Sequence, residues 1–171
     1  MSEDTRRLLL KTPYFEVRQD GRWYSIYEEH AKNASAVLAL HRGEHVVLVE
    51  QYRNSLSGTR REIPRGYSES GETALQCAQR EFFEETGFKP SSEKFLHLGN
   101  VEPNSGLLES SIALFFCTVV DDDKLQSHDL AEIDRVHLVP LETFRQQIAE
   151  NSITDGFTLS AFALASLRGL I

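Results

Sequence analysis

The chain contains little that would cross-link it, anchor it or carry it into a membrane. Cysteine occurs twice in 171 residues, as Cys77 and Cys117, and the pair matches no metal-ligand spacing. Nothing here points to a disulfide framework, and both cysteines read as reduced packing residues of a reducing compartment. No apolar run approaches membrane-spanning length, and Leu8-Leu9-Leu10 is too short a run for a signal peptide. The expectation is a cytoplasmic protein with no membrane partner. Positive charge is also scarce, with 18 Lys and Arg against 26 Asp and Glu and a formal net charge of -8. A net acidic protein is not drawn to a polyanion, so a nucleic-acid surface is disfavoured. No repeat and no Pro/Gly/Ser-rich linker divides the chain.

What is there reads as one domain with a substantial core. Strands are expected at Tyr14–Arg18 and Arg22–Tyr27 around Asp20-Gly21, a strong hairpin signal. A second pair, Ala36–Leu40 and Val46–Tyr52, is joined across Arg42-Gly43-Glu44. Arg60–Ile63 is expected as a short strand stopped by Pro64, which lacks the amide hydrogen a central ladder uses. Further strands are expected at Phe95–Leu98, Ile112–Val120 and Val136–Val139, and the polar stretch from Asn100 to Ser110 reads as a surface loop of the kind that carries function. Asp121-Asp122-Asp123 reads as a solvated turn. Helices are expected over Pro140–Asn151 and Thr158–Leu167. The pattern gives an α+β fold, or a three-layer α/β/α sandwich around a mixed sheet. Residues 1–32 form N-terminal β-strands, a candidate dimerisation sheet, and 33–171 the main domain. A two-stranded hairpin is marginal unless it packs on something, which suggests a homodimer.

The most informative stretch runs from Gly66 to Phe88. Thr73 and Gln76 have the form of a capping box, and Gly87 can take the left-handed conformation that closes a helix. Between them Ala74, Leu75, Ala78 and Phe82 form an apolar stripe. Beside that stripe lie Glu81, Glu84 and Glu85. Three carboxylates on one helix face lower stability unless a cation answers them. Hard carboxylate oxygens suit magnesium, with manganese the alternative. Such a metal bridges phosphate oxygens and lowers the pKa of a bound water. Arg80, one turn before Glu84, can pair with it or with Glu72 and hold the carboxylates in place.

By position the stretch is Gly66, Glu72, Arg80-Glu81-Phe82, Glu84-Glu85 and Gly87-Phe88, which resembles the signature of the Nudix hydrolase family at every defined position. A chance match has odds on the order of one in ten million at average composition. The resemblance implies hydrolysis of a nucleoside diphosphate linked to some other moiety X. It assigns metal binding to Glu81, Glu84 and Glu85, joined by the backbone carbonyl of Arg65. It also implies a magnesium-dependent Nudix fold.

Flanking segments bear on X. Glu50-Gln51-Tyr52-Arg53 and Glu62-Ile63-Pro64-Arg65-Gly66 resemble those of ADP-ribose pyrophosphatases and related nucleoside-diphosphate-sugar hydrolases. Pro103 and the segment Ile153–Leu159 are similar to that branch too. A small residue is common at the position of Arg65, so this chain departs from the pattern by placing a cation at the lip of the site. Arg53 can hold a phosphate in a bidentate grip or make a surface ion pair. Trp23 and Tyr24 can stack a nucleobase or simply pack. The base that activates water is expected in the loop after the signature, from Glu102 or Glu109. Glu109 is preferred, since it follows Ser105-Gly106 and leads into a strand, although its spacing from the glycine is shorter than in that branch. The resulting expectation is cleavage of ADP-ribose or a related compound to a nucleoside monophosphate and a sugar phosphate. Its rivals are a housecleaning pyrophosphatase for nucleoside triphosphates or dinucleotides, an RNA-processing relative, and a non-catalytic ligand sensor.

Overall fold

The structure is a computed structural model and describes residues 6–123 and 135–171. Among the described residues, ten strands and three α-helices follow in the order β1 (Arg7–Lys11), β2 (Glu16–Asp20), β3 (Trp23–Tyr27), β4 (Ser35–His41), β5 (His45–Arg53), β6 (Gly58–Glu62), β7 (Arg65–Gly66), α1 (Ala74–Thr86), β8 (Leu96–Val101), β9 (Ile112–Val119), β10 (Arg135–Pro140), α2 (Leu141–Ala149) and α3 (Gly156–Leu167). Strands β1, β2 and β3 form a separate antiparallel sheet. The other seven form a mixed sheet whose spine is β10-β5-β4-β9-β8, with β4 and β9 parallel.

Alternation along the central strands sorts their side chains onto two faces. Val37, Ala39, Val47, Phe115 and Cys117 pack with Ala78 and Phe82 of α1. Leu38, Leu40, Val46, Leu48, Leu114 and Phe116 pack on the other side with Phe144 of α2 and Ala161 and Ala165 of α3. The fold is therefore α+β, a mixed sheet between helices.

The sheet forks at its centre. Strands β4 and β5 pair only over Ala39–His41 and Val47–His45. Beyond that they diverge, and each takes a short strand: β6 pairs with the far half of β5, and β7 pairs with Ser35 and Ala36 of β4. Pro64 sits in the gap with no amide hydrogen to place, while its carbonyl accepts from Val37 N at 2.9 Å. The open fork supplies the floor of a cleft.

Several expected boundaries shift for physical reasons. The N-terminal hairpin turns on Gly21 and Arg22, since Asp20 pairs directly with Trp23. Strand β1 was not expected as a strand; it has no period-two pattern and is exposed along its length. The acidic turn at Asp121–Asp123 is more than a solvated one: Asp121 pairs with His41 at 2.7 Å and with Arg42, and Asp123 pairs with Lys94 at 2.8 Å.

Candidate active site

Helix α1 starts as its sequence indicates. Thr73 Oγ1 accepts from Gln76 N and Gln76 Oε1 accepts from Thr73 N, a complete capping box, and Gly87 closes the helix at φ 74°. The buried stripe is Cys77, Ala78, Phe82 and Thr86, with Ala74 and Leu75 half-buried beside it. Burying that stripe against β4 and β5 turns the adjacent carboxylate face toward the fork.

Arg80 organises the acidic face. Its Nε donates to Glu72 Oε1 at 2.8 Å, and its Nη2 donates to Glu72 Oε2 at 2.9 Å and to the Tyr67 carbonyl at 2.8 Å. Its Nη1 donates to Glu81 Oε1 at 2.8 Å and to Glu84 Oε2 at 3.0 Å. Every guanidinium nitrogen is thus committed to the protein. The bond to Glu72 above all holds the Arg80 pKa above its ordinary value and lowers that of Glu72.

The other carboxylates are less well answered. Burial raises the pKa of Glu81 against the opposing effect of Arg80. Burial also pushes Glu85 up to about 8, helped by the Glu81 charge, although Arg65 N donates to Glu85 Oε2 at 3.1 Å. A Cβ built at Gly66 would overlap the Glu81 carboxylate, so a side chain there would displace that carboxylate. Among the described residues no three His, Cys, Asp or Glu side chains stand ready as a closed metal cluster. The donor set nevertheless fits a hard divalent cation: buried carboxylate oxygens in excess of local positive charge, beside a glycine that leaves room.

Facing that wall are two arginines. Arg53 pairs with Glu62, which is 2 % exposed, and Arg65 Nη2 reaches Glu62 Oε2 and Asp155 Oδ1 at 3.5 Å each. The Arg65 guanidinium lies 4.5 Å from the centre of the Phe157 ring. The Nε atoms of both arginines are buried without a partner. Asp155 also caps α3, with its Oδ2 accepting from Thr158 N at 2.8 Å and from Thr158 Oγ1 at 2.7 Å, and Thr158 Oγ1 accepts from Ile63 N. The start of α3 is thereby keyed to the segment that carries Arg65.

Between the walls lies a cleft of about 490 Å³, lined by Arg53, Arg65, Gly66, Tyr67, Glu81 and Glu85, with Glu28, Pro103, Leu108 and Phe157 among the others. It brings together Arg53, Arg65, Glu81 and Glu85 of the expected residues. Glu84 is beside them on the helix, held by Arg80, and its side chain is more exposed.

Three expectations do not match the cleft. Glu109, expected as the base, has its carboxylate on the N-terminal sheet: Oε1 accepts from Arg6 Nη1 at 2.6 Å and from Ser25 Oγ at 2.5 Å, and Oε2 lies 3.6 Å from Arg18 Nη1. Its backbone is fixed as well, with Glu109 N donating to the Ile26 carbonyl. Trp23 and Tyr24 do not line the cleft either, and stand 67 % and 53 % exposed on β3. Glu62, Tyr67, Glu28 and Phe157 were not expected as site residues, although Glu62, Tyr67 and Phe157 fall within segments that carry the resemblance; the fork of the sheet gathers them.

A comparison with known proteins decides the family. The NUDIX domain model matches residues 30–158. The chain belongs to the NUDIX family. As a member it is a hydrolase of pyrophosphate linkages. This NUDIX chain is 32% identical over 137 residues to the methanol dehydrogenase activator of Bacillus methanolicus, covering 79% of this chain and 72% of that protein. It is 28% identical over 176 residues to a Caenorhabditis elegans protein provisionally named nudix hydrolase 2, covering 94% of this chain and 77% of that one. A crystal structure of an ADP compounds hydrolase superposes with a TM-score of 0.72 over 97% of this chain and 93% of that chain. Sequence identity there is 17%, so that likeness is one of fold.

Proposed function

We propose that the chain is a magnesium-dependent pyrophosphatase for ADP-ribose or a related nucleoside diphosphate sugar, releasing a nucleoside monophosphate and a sugar phosphate. The observation that carries this reading is the cleft with two unlike walls, carboxylates on α1 facing Arg53 and Arg65. A diphosphate bound together with a divalent cation complements both walls. Glu81, Glu84, Glu85 and the Arg65 carbonyl would hold the metal, with manganese the alternative, and the bound ion supplies neutralisation of charge developing on the diphosphate. Arg53 and Arg65 grip phosphate oxygens, and Arg80 orients the carboxylates without touching substrate.

The division at residue 32/33 belongs to the same reading. Leu8, Leu9 and Leu10 are 50 %, 42 % and 50 % exposed on β1, and Trp23 and Tyr24 lie exposed on the same three-stranded sheet. A second copy of the chain covering this sheet gives a homodimer. Burial of both free thiols supports a reducing, cytoplasmic setting, and no described helix is long and apolar enough to cross a membrane.

The test is hydrolysis of ADP-ribose, GDP-mannose, UDP-glucose and nucleoside triphosphates under magnesium, with products identified. Release of a nucleoside monophosphate and a sugar phosphate is the expected result. Hydrolysis confined to triphosphates would move the chain to a housecleaning role, and binding without turnover would make it a sensor. The name of the Bacillus relative motivates a second reading, an effect on a dehydrogenase. Adding the chain to a methanol dehydrogenase assay tests it: a rate change that Glu85→Gln abolishes would tie that effect to the same cleft.

A further inference from the structure

The cleft has a third charged feature that neither the metal nor the phosphate grip uses. Glu28 directly follows β3, just ahead of a short helical turn over Glu29–Ala31, and it lines the cleft that Arg53, Arg65 and the carboxylates Glu81 and Glu85 also line. It is held in place. Tyr67 Oη donates to Glu28 Oε1 at 2.6 Å, while Ser68 N and Ser68 Oγ both donate to the His30 carbonyl, at 2.9 Å and 3.0 Å. These bonds tie the segment bearing Glu28 to the loop that begins the signature, and Arg80 grips the same loop at the Tyr67 carbonyl.

One Glu28 oxygen is thus occupied by Tyr67. Among the described residues, no lysine, arginine or histidine makes an ion pair with Glu28, in contrast to Glu62, Glu72, Glu81 and Glu84. A fixed carboxylate without a cation, facing a ligand site, accepts hydrogen bonds from hydroxyl or amino groups and repels a further phosphate.

We propose that Glu28 is a specificity-determining residue that reads the X end of the substrate: it accepts hydrogen bonds from an uncharged, hydroxyl-rich X and excludes one that ends in phosphate. This inference rests on the diphosphate-hydrolase reading above and deepens it. Arg53, Arg65 and the metal attract any phosphate chain, so attraction alone does not separate a diphosphate sugar from a triphosphate. Glu28 supplies the repulsive element such a separation needs.

The experiment compares kcat and KM for ADP-ribose and ATP under saturating magnesium in the wild type, Glu28→Gln, Glu28→Lys and Tyr67→Phe. Glu28→Gln keeps an acceptor oxygen but removes the charge, so the ratio of kcat/KM for ADP-ribose to that for ATP should fall about tenfold, mainly through KM. Glu28→Lys should lower it further. Tyr67→Phe, which frees Glu28 to move, should change the ratio in the same direction by less. Melting curves identify any variant that fails to fold, and the gentle Tyr67→Phe change keeps the question answerable in that event. Equal changes for both substrates, or no change, in folded variants overturn the role of Glu28. Failure of the wild type to hydrolyse either substrate overturns the diphosphate reading itself, and this inference with it.

Discussion

The two walls of the cleft are both rich in charge, but they are balanced differently. On the acidic wall, Glu72 in the loop before α1 and Glu81, Glu84 and Glu85 on α1 share one guanidinium, that of Arg80, which pairs with the first three. On the facing wall, Arg53 and Arg65 meet Glu62 and Asp155, two cations against two anions. The first wall carries uncompensated negative charge in a partly buried place, and the second is neutral by its own means. Burial of unpaired charge is costly, and the raised pKa values of Glu81 and Glu85 express that cost. The acidic wall therefore suits an external cation. The basic wall is built to keep its shape.

Removing charge from the acidic wall should have the largest effect on activity. Glu85→Gln is expected to reduce kcat on the order of 10²–10³-fold with the fold retained, measured with ADP-ribose under magnesium. The same variant tests the imbalance directly in metal-free protein. The folded pKa of Glu85 is raised to about 8 from an ordinary value near 4.5, so the folded state favours the protonated acid. Its contribution to stability is full below that ordinary value and is lost as pH rises through about 8. The melting temperature of metal-free wild type should accordingly fall between pH 5 and pH 8 (about the window set by those two values), and Glu85→Gln should flatten the slope. Magnesium should restore the wild type at the upper end and do little for the variant. Identical slopes in the two proteins would show that the wall is not strained by its own charge.

On the basic wall the corresponding deletion should act on stability first. Glu62→Ala leaves two guanidiniums without their buried partner, and breaking such a pair costs about 3 kcal/mol. For a chain of this size that corresponds to a melting temperature lower by about 6–12 °C. A stable Glu62→Ala protein with unchanged phosphate affinity would mean that Asp155 and solvent suffice to hold the arginines.

Glu109 sharpens the contrast from outside both walls. With Arg6, Ser25 and Arg18 around its carboxylate, it joins the N-terminal sheet to the loop whose Leu108 and Ser110 line the cleft. Glu109→Gln should lower stability by about 1–3 kcal/mol, as expected for loss of a charged hydrogen-bond partner, and leave kcat within about threefold. A far larger loss of kcat in a folded variant would return Glu109 to the role of base.

The difference between the walls also explains what could be read in advance. Helix α1 was legible because its cap, its stripe and its carboxylates are all local, set by residues within four positions of one another. The central strand pairs were legible through unbroken apolar runs such as Val46–Val49. The basic wall was legible only in part. Arg53 and Arg65 drew notice, but Glu62, Asp155 and Phe157 come from a strand end, a helix cap and a helix start, and they meet only because β4 and β5 diverge. Glu109 misled for the same reason: loop position suggested the cleft, while the partners that hold its side chain, Arg6, Arg18 and Ser25, lie about a hundred residues earlier in sequence. Tertiary partners of that separation leave no periodic signal.

The smallest expected effect probes whether the acidic wall and its helix can be separated at all. Thr73→Ala removes the side-chain half of the capping box, at a cost of about 1 kcal/mol. In a chain of this length the melting temperature should fall by about 2–4 °C. Thr73 does not line the cleft, so a purely local cap would leave kcat unchanged. Glu72, however, is its neighbour in sequence and receives two bonds from Arg80, which in turn holds Glu81 and Glu84. That bidentate pair, with Glu72 Oε2 also accepting from Glu69 N at 2.8 Å, anchors the loop independently of Thr73. The expected outcome is therefore a small loss of stability at constant kcat. A fall in kcat larger than the fall in stability would show that the cap reaches the carboxylates through Glu72 and Arg80, making the helix start part of the acidic wall.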